Sequence, residues 1–328
     1  MPASARGPDP SAVPVARAAA AAVRVAVLIP CFDEEVAIGR VVRDFRAALP
    51  DAEIYVYDNN SRDRTAAAAA AAGAIVRHEA RQGKGYVVRR MFADVDADVY
   101  VLVDGDGTYD AAAAGTLVRH LLDNRLDLVN ARRVGADRGA YRPGHRPANV
   151  VLSALIGRAF GKRFGDMLSG YKVLSRRFVK SFPALAGGFE IETELTVHAL
   201  RLDMPVAELP ASYRERPAGS FSKLSTWRDG LRILRAILVL FKEERPLAFF
   251  TWLFAILAAT SIVLAWPVIT TWLATGLVPR LPTAVLATGL MLLAFLSLAC
   301  GLVLDTVTRG RTETKRLHYL AQRPPDAG

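Results

Sequence analysis

Two carboxylates one residue apart close a continuously apolar run, Val101-Leu102-Val103-Asp104-Gly105-Asp106-Gly107-Thr108-Tyr109-Asp110. A buried strand that opens into an extended turn lets such a pair converge on one hard divalent cation, Mg²⁺ or Mn²⁺. There the cation would bridge phosphate oxygens and neutralise a departing diphosphate. An isolated Asp-x-Asp usually marks only a solvated turn; its place after a strand gives this one weight. A calcium loop of the EF-hand kind fails on spacing, because Tyr109 stands where glycine is needed and Gly115 where Glu is needed. Gly83-Lys84-Gly85 offers backbone amides and an ammonium to an anion. It is no P-loop, since no Ser or Thr follows Lys84 and the upstream glycine is missing. The first strand is not followed by G-x-G-x-x-G, which argues against a dinucleotide cofactor.

These residues need a scaffold that brings loop ends together, and the chain supplies one. From residue 24, β-rich runs at 25–29, 54–57, 74–77, 99–103 and 126–130 alternate with helical stretches at 34–49, 64–72, 85–96 and 111–124. That alternation predicts a parallel sheet covered on both faces. Runs such as Val25-Ala26-Val27-Leu28-Ile29 are apolar on both sides, as strands buried on both faces must be. Ligands on such sheets sit at the carboxyl ends of strands, and the polar motifs of this chain follow the strands.

The motifs together resemble the family 2 glycosyltransferases of GT-A fold, and within them the polyprenyl-phosphate group that includes dolichol-phosphate mannose synthase. The resemblance runs from about Val25 to Glu244. Pro30-Cys31-Phe32-Asp33-Glu34 is similar to the family's Pro-x-x-Asn-Glu opening, with Asp33 in place of Asn. Asp58-Asn59-Asn60-Ser61-Arg62-Asp63-Arg64-Thr65 is similar to its base-binding turn, with Asn59 in the second acidic position. The resemblance implies an α/β fold with a GT-A Rossmann-like, mostly parallel sheet. It also implies donor contacts from Pro30, Glu34, Asp58, Lys84 and Asp104, and a metal held by Asp104 and Asp106. Asp58 could equally be a structural residue of a turn whose helix Ser61 or Asp63 caps. Where the dolichol enzymes often carry Gln, this chain has Thr108.

Further along, Asn130-Ala131-Arg132 stands in the place of the family's Gly-Ser-Arg, and Arg146 follows one loop later. By resemblance both hold the lipid phosphate, a role for which paired guanidinium forks are well suited. Asp166-Met167-Leu168-Ser169-Gly170 resembles the acceptor-site loop, which assigns Ser169 to the acceptor phosphate and Asp166 to the catalytic site or to capping a turn. Arg214-Glu215-Arg216-Pro217-Ala218-Gly219-Ser220-Phe221-Ser222-Lys223 looks like the family's Arg-x-x-Gly-x-Ser-Lys loop with one extra residue. This implies that Arg216, Ser222 and Lys223 close over the donor diphosphate as a basic lid.

The end of the chain changes solvent. Hydrophobic residues are 52% of the whole, and the excess collects after residue 246. Segments 247–266 and 281–304 carry no charge and are each long enough to cross a hydrocarbon core of ~30 Å. Lys242, Arg245, Arg309, Arg311, Lys315 and Arg316 flank them, against one basic residue in the connector 267–280. The positive-inside bias then puts both flanks and the large domain on the cytoplasmic side of the inner membrane. Residues 224–242, with Arg228, Arg232 and Arg235 at helical spacing, read either as an interfacial amphipathic helix or as a helix packed on the sheet.

The expected organisation is a disordered lead (1–23), a GT-A domain (24–224), a juxtamembrane helix (225–246), a transmembrane hairpin (247–304) and a basic cytoplasmic tail (305–328). A signal peptide is not expected, because Arg24 interrupts the apolar stretch before it is long enough. Cys31 and Cys300 make no disulfide framework, as suits a reducing compartment. A net charge of +10 invites a nucleic-acid reading, but the basic residues form no stripe interleaved with aromatics. The expected partners are a UDP- or GDP-linked sugar, an undecaprenyl or dolichyl phosphate, and the membrane. A processive polysaccharide synthase would carry Gln-x-x-Arg-Trp before its spans, and only the reversed Trp227-Arg228 comes near.

Overall fold

The computed structural model describes residues 22–135, 164–184, 187–188, 190–214, 216, 239, 241–243 and 245–325. The sheet begins with β1 (Val25–Cys31), β2 (Glu53–Asp58), β3 (Ile75–His78) and β4 (Val99–Leu102). It is completed by β5 (Leu128–Val134), β6 (Lys172–Ser175) and β7 (Val206–Ser212), in the order β3-β2-β1-β4-β6-β5-β7. Strands β3, β2, β1 and β4 run parallel, so Cys31 lies beside Asp58 and Leu28 beside Leu102. The three chain exits that carry the polar motifs therefore meet at one edge.

Five strands and their helices stand where the alternation of apolar runs put them. Strands β6 and β7 were not foreseen. β6 runs antiparallel to both neighbours, so the sheet is mixed. Its register sets Lys172 opposite Leu102 and Asn130, which brings the segment before β6 against the end of β4.

Helices α1 (Glu35–Ala48), α2 (Thr65–Ala71) and α4 (Ala114–Asp123) cover one face. On α1, Ile38, Val41, Val42 and Phe45 form the inward stripe of an amphipathic helix and pack with Val27, Ile29 and Val101. Helices α3 (Lys84–Asp94), α5 (Arg176–Ser181) and α6 (Ile191–Arg201) cover the other face, where Val88, Met91, Phe178 and Leu195 pack around Tyr100 and Leu102.

The last two helices, α7 (Pro246–Thr275) and α8 (Leu281–Leu320), are long and apolar enough to cross a membrane. Trp252, Trp266 and Leu273 are each about two-thirds exposed or more, an arrangement that suits hydrocarbon better than water. The Ser261 hydroxyl donates to the Ala287 carbonyl at 2.7 Å and ties the two together. Two boundaries differ from expectation. Helix α7 runs through Pro267 to Thr275 and is closed by left-handed Gly276, so the connector is much shorter than 267–280. Helix α8 continues to Leu320 where a basic tail was expected.

That continuation returns to the sheet domain. Tyr319 donates its hydroxyl to Asp127 Oδ2 at 2.8 Å, and the Arg177 guanidinium lies 4.8 Å from the Tyr319 ring centre. Arg201 Nε donates to Thr312 Oγ1 at 2.7 Å. The fully buried Asp127 also accepts from Ser175 Oγ and Arg177 Nε. A buried carboxylate with three donors is a firm anchor. The long apolar helix α8 is thereby fixed to the sheet.

Candidate active site

A cleft opens at the carboxyl edge of the parallel strands. Its walls are Pro30, Cys31, Phe32 and Glu34 after β1, Asn59 after β2, the loop Gln82-Gly83-Lys84 with Val87, the turn Asp104-Gly105-Asp106, and Arg216. The first two exits are laced to each other. The Asp33 amide donates to Ser61 Oγ (2.9 Å), Arg62 N–H to Asp33 Oδ1 (2.7 Å), and Glu34 N–H to Thr65 Oγ1 (2.8 Å). Asp33 sits at φ 50°, a left-handed conformation that Asp and Asn tolerate best among residues with a Cβ. The Asn-to-Asp departure therefore leaves the turn intact.

Asn59, in the other departed position, is a clamp. Its Nδ2 donates to the Glu79 and Arg81 carbonyls (2.8 and 2.7 Å), and its Oδ1 accepts from Gly83 N–H (2.7 Å). An amide can donate and accept at once, which a carboxylate cannot. It fixes the loop that presents Lys84. Beside it Asp58 is buried; Oδ2 accepts from Ser61 N–H at 3.3 Å and lies 3.4 Å from His78 Nδ1, while Oδ1 has no hydrogen-bond partner among the described residues.

The acidic turn is set by its glycines. A Cβ on Gly105 would stand 2.4 Å from Cys31 Sγ, and Gly107 adopts φ 73°. Either substitution would move the carboxylates. Asp106 is buried, with Oδ1 accepting from the Thr108 amide (3.1 Å) and hydroxyl (2.6 Å), and Oδ2 lying 2.8 Å from Arg216 Nη2. Thr108 thus fixes the direction of Asp106. Asp104 receives the Lys84 ammonium on Oδ1, and Gly170 packs so closely against it that a Cβ there would meet Oδ2 at 2.1 Å. The Ser169-Gly170 loop and the acidic turn are in contact.

Lys84 is also paired with Glu192 on α6, a carboxylate only 8% exposed. Burial pulls the Lys84 ammonium down, yet Asp104 and Glu192 outweigh it and hold the pKa above the ordinary lysine value. Burial pushes Glu192 up, and Lys84 offsets only part of that rise. Glu192 is the residue that sequence reasoning missed. The available signal was a carboxylate on the inward face of a helix, beside Ile191 and three and four residues before Leu195 and Thr196.

Of the residues assigned to the acceptor, Arg132 and Ser169 are described, and neither is among the cleft walls named above. Arg132 is half-exposed at the end of β5, with Nε 4.0 Å from Glu208. Ser169 is buried and donates its hydroxyl to the Ala131 carbonyl at 2.6 Å, so it staples its loop. Asp166 faces Arg133 in a two-pronged pair, Nε to Oδ2 at 2.6 Å and Nη2 to Oδ1 at 2.7 Å. Burial raises the Asp166 pKa, but the Arg133 guanidinium outweighs it and holds the carboxyl below the ordinary value. Asp166 thus positions the loop and does not line the cleft. Arg146, Ser222, Lys223 and nearly all of 224–242 lie outside the described residues.

The arrangement joins two hard oxygen donors with an ammonium and a guanidinium in one cleft. It can bind a diphosphate and a divalent cation together.

Comparison with known proteins agrees with that chemistry. The model of glycosyl transferase family 2 matches residues 26–182. An uncharacterized protein of Shigella flexneri is 52% identical over 157 residues, which cover 48% of this chain and 96% of that protein. The dolichyl-phosphate hexose transferase of Haloferax volcanii is 28% identical over 222 residues, 67% of this chain and 95% of that enzyme. Among solved structures, glucosyl-3-phosphoglycerate synthase of Mycobacterium tuberculosis with phosphoglyceric acid superposes with a TM-score of 0.56 at 25% identity, covering 66% of this chain and 80% of that one. The same enzyme with Mn²⁺, UDP-glucose and glycerol 3-phosphate gives a TM-score of 0.53 at 26% identity, covering 67% and 80%.

Proposed function

Because the chain belongs to glycosyl transferase family 2 and is a glycosyltransferase, we propose that it moves a hexose from a UDP- or GDP-linked donor to a polyprenyl phosphate at a membrane surface. The observation that carries this reading is the coupling of two features. The acidic turn faces Lys84 and Arg216 in one cleft, and the same domain is bonded through Asp127, Arg177 and Arg201 to a helix apolar enough to enter a bilayer. A soluble acceptor needs no such attachment. The dolichyl-phosphate hexose transferase supports the lipid acceptor, and the synthase holding Mn²⁺ and UDP-glucose supports the donor and the metal.

Asp104 and Asp106 fit a divalent ion. Mg²⁺ is held in phosphate-transfer sites by one or two carboxylates, with substrate phosphate and water completing the set. Thr108 already fixes one of these carboxylates in direction. Bound there, the ion would supply charge neutralisation for the leaving diphosphate. Lys84 and Arg216 add positive charge to the same group and hold it in place.

The acceptor needs little activation. A phosphate monoester has its second pKa near 6 and is mostly dianionic at neutral pH. One of its oxygens attacks the anomeric carbon, the bond from that carbon to the diphosphate breaks, and the nucleoside diphosphate leaves with the electron pair. No proton has to move. A single displacement inverts the anomeric centre. Arg132, with Arg146, would hold the acceptor phosphate, and the work of the protein is alignment and charge shielding.

A second reading follows from the synthase bound to phosphoglyceric acid, a soluble phosphorylated acceptor. The two separate in one assay. Purified full-length protein is given labelled UDP-glucose, UDP-galactose or GDP-mannose with Mn²⁺, and either undecaprenyl phosphate, dolichyl phosphate or 3-phosphoglycerate. Label that partitions into organic solvent only with a polyprenyl phosphate is expected. Label on 3-phosphoglycerate alone would establish the second reading.

A further inference from the structure

The acidic pair is already neutralised from within. The Lys84 ammonium sits on Asp104 Oδ1, and Arg216 Nη2 lies 2.8 Å from Asp106 Oδ2. All four side chains line the same cleft. A hard cation needs carboxylate lone pairs, and one oxygen of each carboxylate is already engaged by a side-chain cation. Metal and side chain therefore compete. Both side chains are also strong partners for a diphosphate, Lys as a point charge and Arg as a fork.

Glu192 makes the competition reversible at Lys84. Its carboxylate is buried on α6 and pairs with the same ammonium that Asp104 holds. When Asp104 turns to a metal, Lys84 keeps one anion and is not stranded as a buried charge. Arg216 follows β7 on the segment beyond Arg214, whose amide donates to the Thr108 carbonyl at 2.8 Å. Arg214 is thus tied to the acidic turn.

Resting on the assignment of this cleft to a nucleotide-sugar donor, we propose that Lys84 and Arg216 are exchangeable counter-ions that couple metal binding to diphosphate binding. The metal takes the carboxylates, and the displaced ammonium and guanidinium turn to the diphosphate. Metal alone must break two ion pairs, and a diphosphate alone meets two cations already engaged. Together each satisfies what the other displaced. By linkage, each then raises the affinity of the other by the same factor. A lysine and an arginine that served only as donor contacts would add to nucleotide affinity and leave metal affinity untouched.

The test uses the purified full-length chain in detergent. Mn²⁺ binding is followed by the loss of the free-ion paramagnetic resonance signal, with and without UDP or GDP. Arg216→Met is expected to bind Mn²⁺ alone about tenfold more tightly than the parent, to bind the nucleotide less tightly, and to lose most of the coupling between them. Lys84→Met paired with Glu192→Gln removes one charge of each sign, so it strands no buried ion, and it should act in the same direction. Unchanged or weaker Mn²⁺ affinity in both variants, with nucleotide affinity lowered, would overturn the exchange and leave ordinary donor contacts. A parent protein that binds Mn²⁺ with neither nucleotide would instead overturn the donor-site assignment, and the exchange with it.

Discussion

Replacing Asp166 by Asn separates a structural carboxylate from a catalytic one. Asp166 holds Arg133 through two charge-assisted bonds of 2.6 and 2.7 Å, with the carboxylate 5% exposed and the guanidinium 17%. Asn keeps the shape and one acceptor but replaces the charged partner of the guanidinium by a neutral one. Breaking a buried pair on one side costs about 3–5 kcal/mol. The surviving hydrogen bond and the stacking of Arg133 over Tyr213 put this case at the lower end, about 3 kcal/mol. For a domain of this size that lowers the melting midpoint by roughly 6–12 °C.

The pH dependence has a fixed sign. The Asp166 pKa in the folded protein lies below its unfolded value, so its contribution is complete above the unfolded pKa and is lost as pH falls through the folded one. The gap between parent and variant should be full at neutral pH and close below about pH 4. Differential scanning fluorimetry across pH, paired with transfer kinetics on the folded fraction, checks both. An unshifted midpoint with a loss of a thousandfold or more in rate, of the order seen for essential catalytic groups, would refute this and restore Asp166 to the chemistry.

Other expectations follow from the same geometry. Asp104→Ala and Asp106→Ala should each lower transfer by about 10²–10³-fold or more while the protein still inserts, measured by product formation and melting side by side. Gly170→Ala drives a Cβ toward Asp104 Oδ2 and should cost about 10–100-fold in rate, read from kcat at saturating donor and acceptor. Arg132→Ala should raise the KM for the lipid acceptor more than that for the donor; the reverse would move this arginine to the donor side. Tyr319→Phe removes a hydrogen bond to a buried carboxylate, worth about 1.5–3 kcal/mol. It should speed protease cleavage near residue 320 with little change in donor KM.

Much of the scaffold was legible because parallel strands buried on both faces must be apolar throughout, and runs such as 25–29 and 99–103 are. The acidic turn stood out for the same reason, as charge directly after burial. What escaped depends on non-local pairing. β6 is four residues whose direction is set by partners about 40 and 70 positions earlier. Glu192 reads as one acid among three in 190–194 until the fold places it against Lys84, 108 residues away. The return of α8 to Asp127 spans 192 residues, and a basic amphipathic end looks the same in water as against a domain. Asp166 was read by its motif, whereas its partner Arg133 lies next to the arginine that the motif singled out.

The most direct test is the structure of the lipid product. Transfer from an α-linked nucleotide sugar should give a sugar joined through its anomeric carbon to the polyprenyl phosphate in the β configuration. Nuclear magnetic resonance would show this as coupling between C1 and phosphorus and an axial-type anomeric proton for a gluco-configured sugar. An α-linked product, or a sugar carried on a hydroxyl with no carbon–phosphorus coupling at C1, would contradict direct attack by the lipid phosphate.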